Sequence, residues 1–289
     1  MKFVEGPTNQ RYYRDIIKDL KDSKVHQWYS KLKRLCSYDQ HKSDPIIVES
    51  IKHLSDEDQA EVIADKFCRV SQEYEPLMKE DIEIPQFDVS TYPSFLPSDV
   101  QKHLEKIKTN KSVPPGDIPP KLVKMFAAEI SVPLCHIINS SILLGKWSKL
   151  YKRESVTPVP KLFPPKSPED LRNISGLLTF NKVAEKMIAE IMISDMLASI
   201  DPSQYANQKG LSLQHYLIKM IDKILSDTDK SSKDEVNAVL AVLFDWKEAF
   251  PRQCPKLGIE AFLKCGVRPS LIPCLISYLQ DRTMTVKWH

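Results

Sequence analysis

Glycine is scarce in this chain, with 7 among 289 residues, and neither a G-x-G-x-x-G nor a Walker pattern occurs. A nucleotide site cradled by a glycine-rich loop is therefore not expected. The 6 cysteines are scattered, with no C-x-x-C pair and no histidines at zinc spacing, so they read as buried thiols in a reducing compartment. An excess of one charge is missing too: 41 Lys+Arg against 38 Asp+Glu gives +3, too even to argue for nucleic acid from net charge. No segment approaches the roughly 18 consecutive apolar residues of a membrane span. The start, Met1-Lys-Phe-Val-Glu-Gly-Pro7, has no apolar core of signal-peptide length. These absences predict a soluble intracellular protein without a membrane partner, nuclear or cytoplasmic. The length predicts two or three subdomains that bury roughly three quarters of the unfolded surface without staples.

What is present centres on residues 236–250. Val239 to Phe244 is a run of small and branched apolar residues, which reads as a strand buried on both faces. It ends in a carboxylate, Asp245, followed after a short polar turn by Phe250. A carboxylate at the end of a buried strand can hold a metal ion or a phosphate-bearing substrate. It can equally cap the next element, and the strand alone does not decide.

Residues 1–35 interleave basic and aromatic residues, among them Arg11, Tyr12, Tyr13, Arg14, Trp28 and Tyr29. That pattern suits backbone neutralisation plus base stacking on single-stranded nucleic acid. The plainer reading, a solvated amphipathic helix, carries more weight because charge runs on helices usually face water. A helix is predicted from Ser55 to Val70, with an acidic first turn and a stripe of Ala60, Ile63, Ala64 and Phe67. Pro76, Pro85, Pro93 and Pro97 punctuate an extended linker. Ser98-Asp-Val-Gln101 predicts a capping-box start, with Val100, Leu104 and Ile107 as the buried stripe. Helices are predicted near Pro119 and near Pro133, the second stopped by Gly145. A strand over Glu154–Val159, a basic proline-rich loop from Pro160 to Lys166, and a strand over Leu171–Gly176 read as a hairpin. Lys161 and Arg172 fall near its ends, a geometry able to grip a triphosphate, although ordinary surface charge explains them as well. Helices over Thr179 to about Ile200 and Leu211 to about Leu225 follow, with Met187, Met192 and Met196 as core filler. A helix stopping at Cys265-Gly266, another between Pro269 and Gln280, and a strand starting at Met284 complete the reading.

Taken in order, these pieces resemble the first half of a reverse transcriptase of the non-LTR (LINE-like) retrotransposon class, over roughly residues 100–289. The segments that carry the resemblance are Lys108-Thr-Asn-Lys111 leading to Pro115-Gly-Asp-Ile-Pro119; Asn139 to Gly145 with Trp147 and Tyr151-Lys152; and Val156 to Lys161. Leu171-Arg-Asn-Ile-Ser175, Ser203 to Gly210, and Phe244-Asp-Trp-Lys-Glu-Ala-Phe250 complete them. Any one is weak, and six in register are strong. The resemblance implies that Asp245 is a metal-binding aspartate, with the backbone carbonyl of Trp246 as a second ligand. It implies Mg²⁺ as cofactor, because two-metal nucleotidyl transfer needs hard oxygen donors. Phe250 matches the aromatic beneath the incoming sugar, whose bulk would exclude a ribose 2′-hydroxyl. Lys161 and Arg172 match finger residues on the triphosphate. Lys108 and Lys111, with Arg11 and Arg14 from the front, are the expected nucleic-acid contacts. The implied partners are an RNA template, a DNA primer and deoxynucleoside triphosphates.

The sequence departs from that pattern at Pro251, where Asp is common, at Ala206, where glycine is usual, and at Asn173, where proline is usual. No Asp-Asp dipeptide occurs in the chain, although the family carries its second aspartate pair on a palm hairpin. The expected fold is therefore α+β and truncated: a helical front module (1–75), a proline-containing linker (76–97), then fingers and a partial palm of a right-hand polymerase (98–289). The expected function is a truncated RNA-directed DNA polymerase of a mobile element, inactive as this fragment. The alternative is a non-catalytic nucleic-acid-binding or protein-interaction remnant of a retroelement.

Overall fold

The computed structural model of the protein describes residues 46–111, 113–229, 239–246 and 248–288. Arg11, Arg14 and the basic-aromatic segment around them lie outside the described residues. The described chain mixes helices with a small three-stranded sheet, as an α+β reading requires.

Helix α1 (Asp56–Cys68) starts where expected: Ser55 is its N-cap, its hydroxyl accepts from the Asp58 N–H, and three acidic residues occupy the first turn. Its buried stripe is Gln59, Ile63 and Phe67. Ile63 and Phe67 pack with Val48, Ile51, Val156 and Leu171 into a cluster against the sheet. The stretch read as a linker touches the body through both side chains and backbone groups. Leu77 and Ile82 are buried in the main core, Gln280 donates to the Leu77 carbonyl at 2.7 Å, and the Phe95 N–H donates to Asn139 at 2.9 Å.

Helix α2 (Pro97–Glu105) buries Val100 and Leu104 as its pattern required, but the expected capping box is absent. The helix is capped at Leu96, two residues before the expected Ser98, and opens on Pro97, whose fixed φ and missing N–H suit the first helical position. Helix α3 (Pro120–Met125) is short. Helix α4 (Ala127–Leu144) begins six residues before the expected start at Pro133, which sits inside it. A proline there removes one intrahelical bond without ending the helix, because Leu134, Cys135, Ile138 and Ile142 are buried on the continuing face. Gly145 ends it in the left-handed region (φ +61), as expected. At 18 residues and mean hydropathy 1.4, α4 is long and apolar enough to cross a membrane, contrary to the sequence expectation. In this fold one face of it, with Ala127, Leu134, Cys135, Ile138 and Ile142, packs into the main core, while Val132, Ile137, Leu143 and Leu144 are exposed.

Strands β1 (Arg153–Pro160) and β2 (Leu171–Gly176) form the expected hairpin, antiparallel from Ser155 opposite Gly176 to Pro160 opposite Leu171. After helices α5 (Thr179–Met196), α6 (Leu213–Thr228), α7 (Pro255–Lys264) and α8 (Ile272–Leu279), strand β3 (Thr283–Val286) pairs parallel to β1 along its other edge. The main core joins α2, α4, α5, α7 and α8. Met187 is buried there, with Met192 and Met196 packed at its margin, as filler should be.

The strand expected over Val239–Phe244 is not formed. Those residues have no regular structure, and Leu240 and Leu243 are 86% and 88% exposed. A buried strand needs neighbours to satisfy its N–H and C=O groups. Both edges of β1 are occupied, by β2 and β3, and nothing else among the described residues extends the sheet to 239–244.

Candidate functional site

The hairpin positions two of the expected side chains. Its loop is closed by the Lys161 N–H donating to the Asp170 carbonyl at 2.7 Å. The Asp170 carboxylate accepts from the Lys166 and Ser167 N–H groups, and those two bonds hold its carboxyl below the usual range. Lys161 Nζ donates to the Glu169 carbonyl at 2.8 Å, so this exposed amine is folded back on its own loop. Arg172 stands opposite Val159 in the register and is exposed, without an ion pair among the described residues. Both cations therefore occur at the loop end of one β-ribbon.

Sequence reasoning missed Lys66, which links this ribbon to the turn after Asp245. Its side chain is only 10% exposed; Nζ lies 3.4 Å from the Leu171 carbonyl, 3.8 Å from Glu248 Oε1 and 4.9 Å from the centre of the Phe67 ring. Burial, then the Lys161 charge, pulls its pKa below the usual lysine value. Its position next to Phe67 on the packed face of α1 was the available signal. Glu248 itself holds a left-handed φ of +54, rare for a side chain of this size. Arg252 comes within 3.8 Å of Glu248 and 3.9 Å of Glu73, and its carbonyl accepts from the Tyr74 hydroxyl. The turn is thus fastened to α1 and the chain just after it.

The site side chains of the expected catalytic motif face solvent. Asp245 is exposed, and Trp246 and Phe250 are 81% and 87% exposed. The setting expected for Asp245, the end of a buried strand, is not observed. Among the described residues no three His, Cys, Asp or Glu side chains are grouped to hold a metal ion. Two-metal chemistry requires several converging oxygens. Among the described residues the donors near Asp245 do not complete a Mg²⁺ site.

A second, basic site lies between the end of α2 and the start of α5. The turn Pro114-Pro-Gly-Asp117 places Gly116 at φ +79 and aims Asp117 at the start of α5, where its carboxylate accepts from the Thr179 N–H (2.8 Å) and hydroxyl (2.7 Å). An anion at a helix N-terminus is stabilising, so the Pro-Gly-Asp motif acts here as a helix cap delivered from a distant loop. The same junction opens a cleft of about 280 Å³ between the end of α2 and the first turns of α5. Lys108 and Lys111 line it, joined by Lys106, Lys182 and Lys186, which sequence reasoning did not single out as a site. Lys182 and Lys186 share one face of α5 at i,i+4, a like-charge pair that costs roughly 0.2–0.5 kcal/mol when nothing neutralises it.

No protein-family model matches the chain. Among curated proteins, 207 residues (71% of this chain) are 26% identical to a protein named as a probable RNA-directed DNA polymerase from transposon X-element of Drosophila melanogaster. The chain spans 22% of that protein's length. The similarity supports a reverse transcriptase relationship and a retrotransposon-like origin.

Proposed function

We propose that the chain is part of an RNA-directed DNA polymerase of the non-LTR retrotransposon class, and that it does not polymerise as it stands. The observation that carries this reading is the similarity over 207 residues to a transposon polymerase, in a chain whose six motifs run in the order such enzymes use. In the complete enzyme, Asp245 and the Trp246 carbonyl would supply part of a magnesium site, completed by carboxylates beyond these motifs. Magnesium there would activate the primer hydroxyl and offset charge on the triphosphate. Phe250 would lie under the deoxyribose, and Lys161 and Arg172 would swing to the triphosphate. Lys161 would first release its bond to the Glu169 carbonyl. The reading of inactivity is supported by the donor set of the described residues, since loss even of supporting ligands costs roughly 10–100-fold.

A second reading, a remnant that binds nucleic acid without catalysis, is favoured by the basic cleft, which does not depend on Asp245. The coding sequence past codon 289 tests the catalytic reading. A frame that continues into an aromatic-x-Asp-Asp segment is expected. A stop codon there would sink the polymerase and leave the remnant.

A further inference from the structure

We propose that the cleft between α2 and α5 is a binding site for the phosphodiester backbone of a nucleic-acid strand, separate from the Asp245 turn. Five lysines line it: Lys106 at the end of α2, Lys108 and Lys111 on the following loop, and Lys182 and Lys186 on α5. No carboxylate lines it, and none of the five makes an ion pair among the described residues. Lys102, one turn before Lys106 and outside the cleft, is paired with Asp99 at 3.1 Å. In its wall, His103 Nδ1 is buried and has no hydrogen-bond partner, while Nε2 faces Glu190 at 3.3 Å. Five exposed cations converge beside a buried ring nitrogen that has no partner, a concentration of positive potential that an anionic ligand would offset.

The lining also selects among anions. With no carboxylate in the wall, a magnesium-bound nucleoside triphosphate would find no group for its metal. Arginine is absent as well, so no planar fork specifies one oxyanion geometry, and lysines act as adaptable point charges. There is no aromatic ring other than His103 for a base to stack on. Point charges without stacking or forks suit sequence-independent contact with successive phosphates. None of the described residues among 239–252 lines the cleft, so it can act whether or not the Asp245 site is completed.

This inference deepens the nucleic-acid side of the proposed function and rests on it. The test is fluorescence anisotropy of a mixed-sequence RNA oligonucleotide with the full chain, across a salt series. A triple variant, Lys106→Gln with Lys182→Gln and Lys186→Gln, changes only exposed side chains and is expected to fold. It should lose at least about tenfold in affinity, and its log–log salt slope should be shallower by about 2, from roughly 0.7 per single-strand phosphate contact. A control triple of exposed lysines outside the cleft, Lys79→Gln with Lys149→Gln and Lys256→Gln, should leave both nearly unchanged. Equal losses in the two triples would mean diffuse surface charge and overturn the site. Inorganic tripolyphosphate competing as well, per phosphate, as the oligonucleotide would overturn the backbone assignment in favour of a compact polyphosphate. RNA binding that persists in the cleft variant overturns the cleft alone. Absent binding by the unmodified chain overturns the cleft and the remnant reading together, while the downstream coding sequence still decides the polymerase reading.

Discussion

Two buried or half-buried carboxylates in this fold have opposite electrostatic fates. Asp195 near the end of α5 accepts from Arg268 Nε at 2.8 Å, from its terminal nitrogen at 2.6 Å and from its backbone N–H at 3.2 Å. Those bonds to Arg268 hold its carboxyl below the usual value of 3.8. A depressed folded-state pKa contributes stability that is present above the unfolded value and lost as pH falls through the folded one. Asp195→Ala should therefore cost about 1.5–2 kcal/mol in denaturant melts at pH 7, with Arg268's partial exposure keeping the loss near the low end of charged hydrogen bonds. The gap from the unmodified protein should close well below pH 3.8. Glu185 goes the other way: burial dominates and pushes its carboxyl above 4.5, against the bonds from Tyr278 (2.9 Å) and Asn181 (3.0 Å). Its favourable contribution is present below pH 4.5 and lost as pH rises through the raised value. Glu185→Gln keeps an acceptor for both donors, so melts should show it more stable than the parent at pH 8 and equal to it at pH 4.

At the level of elements, Gly145 is a sharp test of helix termination. It lies at φ +61, and a Cβ there would meet the Pro273 Cβ at 2.6 Å. Gly145→Ala combines a left-handed conformation, about 1–2 kcal/mol, with a clash against a rigid ring at the start of α8. A loss of at least about 2 kcal/mol in chemical denaturation is expected; an unchanged midpoint would mean that α4 and α8 are not docked as described. The Gly145 stop, the acidic first turn after Ser55 and the alternation over 154–159 were all legible in the sequence because each is a local signal. The start of α4 was not, because six buried positions over 127–142 override one proline. The strand at 239–244 was misread for the reverse reason: an apolar run indicates that burial is needed, but the partner that supplies it is not encoded locally. Lys106, Lys182 and Lys186 were individually ordinary, and only the packing of α2 against α5 brings them together.

Across the whole molecule, the well-packed core and the exposed apolar segments divide the chain unequally. Helix α6 has no buried residue, and with residues 239–250 it presents Leu213, Ile218, Leu240, Leu243, Phe244 and Phe250 to solvent. The core, by contrast, seals Cys274 completely and pushes its thiol up to about 12 by burial, while Cys135 is buried with a raised pKa. Native thiol labelling at pH 8, read by mass spectrometry, should spare both and reach them only on unfolding. The cysteines read from sequence as buried divide in the structure: Cys68, Cys254 and Cys265 are only half-buried. The proposed function makes exposed Asp245 one part of a polymerase site that the chain alone does not complete. Primer extension on an RNA template with Mg²⁺ and deoxynucleotides tests it most directly. No extended primer is predicted for the 289-residue chain; template-dependent synthesis that disappears in Asp245→Ala would contradict it.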